Sequence, residues 1–131
     1  MATIKRFEDL EIWQQSRKLC YKVWKLSLTG SFSKDYALKD QMSKSSGSVM
    51  DNIAEGFGRG GNREFIIFLG FASGSTDEVK SQIYRLFDRS HVNEKIFEEL
   101  LSEAQDLQVK ISNFISYLNK SDFRGRKFKG R

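Results

Sequence analysis

Residues 120–131 carry the plainest chemical signal in the chain. Lys120, Arg124, Arg126, Lys127, Lys129 and Arg131 stand there against Asp122 alone, interleaved with Phe123, Phe128, Gly125 and Gly130. Cations neutralise phosphates and release counterions, aromatic rings stack on unpaired bases, and glycines keep an arm adaptable. The combination suits nucleic acid. It also suits an acidic protein, or simple solubilisation. Arg59 and Arg63, with Lys80, Arg85 and Arg89, offer a second basic surface, unless ion pairs occupy it.

Gly56-x-Gly58-x-x-Gly61 has the spacing of a dinucleotide-binding turn. That motif needs a strand before it, so that a pyrophosphate meets the N-terminus of the following helix. The periodicity here puts a helix before it, which favours a glycine-rich corner; Arg59 and the N–H groups of Arg63 and Glu64 could still hold one phosphate. Asn52 and Glu55 share one helix face, and Glu78 and Gln82 share another. They read as a structural polar network that sets helix register. A carboxylate metal site of bundle type would need Glu-x-x-His pairs, and no such pair occurs. Cys20 and His91 are the one cysteine and one histidine. Cys20 falls in a helical pattern and His91 in a loop, so no pattern positions either for nucleophilic catalysis. The reading is therefore a core cysteine, a solvated histidine, no catalytic set and no cofactor.

Four helices must position these groups. The first starts near Phe7 to Asp9 and runs to Leu28, with the stripe Leu10, Trp13, Arg17, Cys20 and Trp24, widened by Ile12, Leu19, Val23 and Leu26. Gly30 ends it and Ser33 caps the next. The second spans Asp35 to Phe57 with Leu38, Met42, Val49, Ile53 and Phe57 on one face. Asn62 caps the third, which spans Arg63 to Ser90 with Phe65, Phe68, Leu69, Ala72, Val79, Ile83 and Leu86. Asn93 caps the fourth, Glu94 to Asn119, whose row is Ile96, Leu100, Leu107, Ile111, Phe114 and Leu118. Ser43, Ser45, Ser46, Gly47 and Ser48 on the second helix and Gly70, Ala72, Ser73, Gly74 and Ser75 on the third suggest two small faces in close contact. The fold class expected is all-α, an antiparallel up-down-up-down four-helix bundle. It forms one domain over residues 1–119, followed by a basic flexible tail.

Composition agrees. Of 131 residues 39% are apolar and 30% charged, which suits a soluble globular protein. The net charge of +5 resides wholly in the tail, because residues 1–119 hold 16 basic and 16 acidic side chains. No apolar run is long enough to span a membrane and the N-terminus lacks a signal-peptide core, so the cytoplasm is the expected compartment. Eleven Phe, four Tyr and two Trp exceed what so small a core needs, which points to a homo-oligomer.

The chain resembles the small bacterial bundle family named after proteins encoded in intervening sequences of 23S rRNA genes. The resemblance rests on Asp9-Leu10-Glu11-Ile12-Trp13-Gln14, Leu38-x-x-Gln41, Asn52-Ile53-Ala54-Glu55-Gly56-x-Gly58-Arg59, Glu64-Phe65-x-x-Phe68-Leu69 and Ala72-x-Gly74-Ser75-x-x-Glu78-x-x-x-Gln82. Ser33 stands where family members usually carry a proline. The accessory variability protein of diversity-generating retroelements looks like a relative. The resemblance implies a homopentamer and, through that relative, RNA and a reverse transcriptase as partners. The function expected is a non-enzymatic oligomeric scaffold that binds nucleic acid, RNA foremost, through Arg59, Arg63, Arg124, Arg126, Lys127, Lys129 and Arg131. The alternative is a scaffold for an acidic protein partner, without direct nucleic-acid contact.

Overall fold

The computed structural model describes the backbone of residues 4–129 and the side chains of residues 4–121. Four α-helices follow one another: α1 (Glu11–Leu26), α2 (Tyr36–Gly58), α3 (Asn62–Asp88) and α4 (Glu94–Lys129). Short 3-10 turns at Phe7–Asp9 and Ser31–Lys34 precede α1 and α2. No strand occurs among the described residues. The short connections make sequential neighbours antiparallel, and the molecule is an all-α up-down-up-down bundle.

One face of each helix fills the core. Ile12, Leu19 and Val23 of α1 meet Leu38, Met42, Val49 and Ile53 of α2, Leu69, Ala72, Val79, Ile83 and Leu86 of α3, and Leu100, Ala104, Leu107 and Ile111 of α4. Each large aliphatic removed from water contributes about 1.5–3 kcal/mol. The α1 stripe is rotated from the one expected. Trp24 is exposed and Trp13 only half-buried, while Ile12, Ser16, Leu19 and Val23 point inward. Apolar side chains occupy more than half of α1's circumference. The compact aliphatics fit the closely packed interior, and the indoles are left at the rim.

Helix ends differ in detail from the sequence reading. Asp35, not Ser33, caps α2, its Oδ1 accepting from the Leu38 N–H at 3.3 Å, while Ser33 Oγ turns back to the Gly30 carbonyl at 2.6 Å. Gly61, not Asn62, precedes α3; the Asn62 amide donates to the Leu118 carbonyl at 3.5 Å and ties α3 to α4. Asn93 caps α4 as expected, accepting from the Ile96 N–H at 2.9 Å. The α4 backbone continues past Asn119, the last residue of its expected span, because nothing between Leu118 and Asp122 is a helix breaker. The side chains of the basic tail, from Asp122 onward, lie outside the described residues.

Candidate functional site

At the α2–α3 corner the backbone turns within Arg59–Gly61, and Gly60 adopts the left-handed φ of 85° that glycine takes without strain. A helix, not a strand, enters this turn, so the dinucleotide-binding context is missing. Gly56 has a different task. A Cβ there would lie 2.6 Å from Phe68 Cβ and 3.0 Å from Phe65 Cδ1, so α2 and α3 converge only because residue 56 has no side chain. Arg59 Nη2 lies 3.3 Å from Glu55 Oε1, and its guanidinium sits 5.0 Å from the Phe68 ring centroid. Arg63 is exposed in the first turn of α3. Beside the corner, Ile4, Leu10, Phe57, Phe65, Phe114 and Leu118 line a largely apolar hollow of about 1020 Å³.

Asn52, Glu55, Glu78 and Gln82 do not join one another. Asn52 donates to the Ser48 carbonyl at 2.8 Å, Glu55 turns to Arg59, and Glu78 is exposed. Gln82 alone is buried, its Oε1 2.5 Å from Ser45 Oγ. The polar seam between α2 and α3 instead runs through serines: Ser45 meets Gln82, Ser75 Oγ lies 3.1 Å from Ser48 Oγ, and Arg85 donates to Gln41 Oε1 at 2.8 Å. The proposed close approach of small faces is corrected accordingly. A Cβ on Gly47, Gly70 or Gly74 would meet nothing within 4 Å. Serines line the contact, and the glycines of both stretches face away from it.

His91 is the residue whose role the sequence reading missed. It is not solvated: its side chain is 9% exposed, and its ring lies over Phe32 at a centroid distance of 5.8 Å. Nδ1 is 2.7 Å from Ser31 Oγ and Nε2 is 2.8 Å from Asp35 Oδ2. With the proton on Nε2, Ser31 donates to Nδ1 and His91 donates to Asp35. The α3 terminus aims the ring, since Ser90 takes a left-handed φ of 58° and the His91 N–H returns to the Leu86 carbonyl at 2.9 Å. Arg89 Nη1 also lies 2.8 Å from Asp35 Oδ2. The hydrogen bond from His91, then that from Arg89, hold the Asp35 carboxyl down from 3.8 to about 2. The order serine–histidine–aspartate is that of a nucleophilic relay. Here, however, the same carboxylate is also held by Arg89 and occupied as a helix cap. We read the cluster as a clamp that fastens the α3–α4 connection to the start of α2. Cys20, half-buried, contacts Ser46 Oγ at 3.7 Å and takes no part in it.

Much of the basic α3 surface is engaged. Lys80 bonds to Gln105, Arg85 to Gln41 and Arg89 to Asp35. Arg63 has no hydrogen-bond or ion-pair partner among the described residues. Arg124, Arg126, Lys127, Lys129 and Arg131 lie outside the residues whose side chains are described.

Comparison with known proteins places the fold. A solved structure from Bacteroides thetaiotaomicron, described as a protein of unknown function from the S23 ribosomal protein family, superposes with a TM-score of 0.74 over 80% of this chain and 95% of its own, at 15% identity. No curated protein matches the chain. The pattern of the 23S rRNA-intervening sequence proteins matches residues 8–113, from the turn before α1 into α4. The chain belongs to the 23S rRNA-intervening sequence protein family.

Proposed function

We propose that this protein is a non-enzymatic, oligomeric, cytoplasmic scaffold that binds nucleic acid, RNA foremost, through its basic C-terminal segment and the surface around Arg59 and Arg63. The observation that carries the reading is the partition of charge: residues 120–131 hold six cations and one acid, whereas the rest of the chain is balanced. A concentrated positive segment attached to a neutral bundle draws phosphates by counterion release. The resemblance to the retroelement accessory protein supports RNA as the partner and a homopentamer as the assembly. Five copies would multiply weak contacts through effective concentration.

Binding of a structured RNA, followed across a salt series, tests the reading. Neutralising Arg124, Arg126, Lys127, Lys129 and Arg131 to Gln should flatten the slope of log K against log salt by roughly 3.5 to 4.5, at about 0.7–0.9 per lost phosphate contact. A wild-type protein that fails to bind RNA or DNA at low salt would sink the proposal.

A further inference from the structure

Balanced charge over residues 1–119 conceals a local imbalance. Residues 12–34 contain Arg17, Lys18, Lys22, Lys25 and Lys34 and no acidic residue. Glu103 holds Lys22, but Arg17, Lys18, Lys25 and Lys34 are exposed and have no carboxylate partner among the described residues. The same stretch carries the aromatics that α1 leaves outside the core. Tyr21 is 55% exposed and Trp24 53%; across the α1–α2 groove Tyr36, the first residue of α2, is 75% exposed. Arg17, Tyr21, Trp24 and Leu28 follow one another at four-, three- and four-residue steps, which is one face of a helix. The groove they border measures about 760 Å³ and has Val23 and Met50 on its wall.

Burying or exposing these rings is decided by packing, but what an exposed ring can bind depends on the charges around it. The Tyr21 and Trp24 rings are tilted 42° to one another at 5.7 Å, so neither face is closed by stacking on the other. Lys25 Nζ sits 5.8 Å from the Tyr21 centroid. One acid, Asp40, lines the groove and is paired with Lys44 at 3.1 Å, while Asp35 is turned to Arg89 and His91. Cations along the rim and open aromatic faces between them are the two parts of a platform for single-stranded nucleic acid, the first for phosphates and the second for bases. A duplex keeps its bases stacked on one another and cannot use the rings. An apolar helix would use the rings but gains nothing from Arg17 and Lys39, the cations that line the groove beside them.

We propose that the α1–α2 groove is a single-strand platform on which unpaired bases stack against Tyr21, Trp24 and Tyr36 while Arg17 and Lys39 in its lining, with Lys25 beside Tyr21, hold the backbone. The proposal rests on the nucleic-acid reading above and names a surface separate from the tail.

The test compares the full chain with Trp24→Ala/Tyr36→Ala and with the tail variant already described. Each is titrated at low salt into labelled 15-mers of uridine or thymidine and into a fully paired RNA hairpin. Both aromatic side chains are exposed, so the thermal melt should stay at the wild-type value. Single-strand affinity should fall about a hundredfold, roughly tenfold per ring lost, with hairpin affinity unchanged. Equal loss on both 15-mers supports stacking; loss confined to RNA refutes it, because thymine offers the rings the same π-face as uracil. If the aromatic variant binds single strands like wild type while the tail variant does not, the platform is wrong and the nucleic-acid reading stands. If wild type binds none of the three, both fall. If the aromatic substitutions alter only the assembly mass, the groove is a contact between copies and the platform is refuted.

Discussion

Asp35 carries three duties at one carboxylate: it caps α2, pairs with Arg89 and accepts from His91. Because its folded-state pKa is depressed from 3.8 to about 2, its ionised form favours the folded state. That contribution is fully present above about pH 4 and is lost as the pH falls through about 2. Asp35→Asn retains a good N-cap but removes the charge. The variant should melt below wild type at pH 6, and the gap should close between about pH 4 and pH 2 in melts recorded across that window. A gap that persists undiminished at pH 2 would show that the charge has no part in the clamp. Nothing in the local sequence announces this cluster. Ser31 and His91 lie 60 positions apart, and a lone histidine in a loop looks solvated until the fold brings Phe32 beneath it.

At the scale of the helix pair α2–α3, glycines of similar appearance have opposite consequences. Gly56→Ala places a methyl 2.6 Å from Phe68 Cβ, an atom fixed by backbone, so the helices must separate. Overpacking of this kind costs about 1–3 kcal/mol, and the denaturant midpoint should fall accordingly. Gly74→Ala meets open space in an exposed part of α3 and should raise stability by about 0.5–1 kcal/mol, the helix-propensity difference. Equal effects at the two positions would contradict the packing. Helical periodicity recovered all four helices, because a buried stripe repeats every 3.6 residues whatever lies opposite. It did not recover which small residues touch. Gly47, Gly70 and Gly74 lie outside the contact while Ser45 and Ser48 lie in it, and a shift of one residue rotates a side chain by about 100°.

For the whole molecule, the distribution of exposed apolar side chains is the informative quantity. Ile67 and Phe71 share the outer face of α3 and are 51% and 56% exposed. Assembly through that face is the oligomer proposed above. Light scattering should then report about five times the 15.2 kDa of one chain, and Phe71→Glu should reduce it to the single-chain mass without lowering helicity. A wild-type monomer at micromolar concentration would remove the oligomer from the proposal. No helix among the described residues is long and apolar enough to cross a membrane.

By itself the sequence determined the class of fold, the number of helices, the two glycine-marked turns after α1 and α2 and the separation of net charge into the last residues. All of these are written in near-neighbour spacing and in counts. The tertiary structure alone decided the rotation of α1 that leaves Trp24 outside, the convergence at Gly56 and the Ser31–His91–Asp35 clamp. Each joins residues distant along the chain, and whether such groups meet depends on how several helices share one interior volume. No single helix's periodicity contains that information.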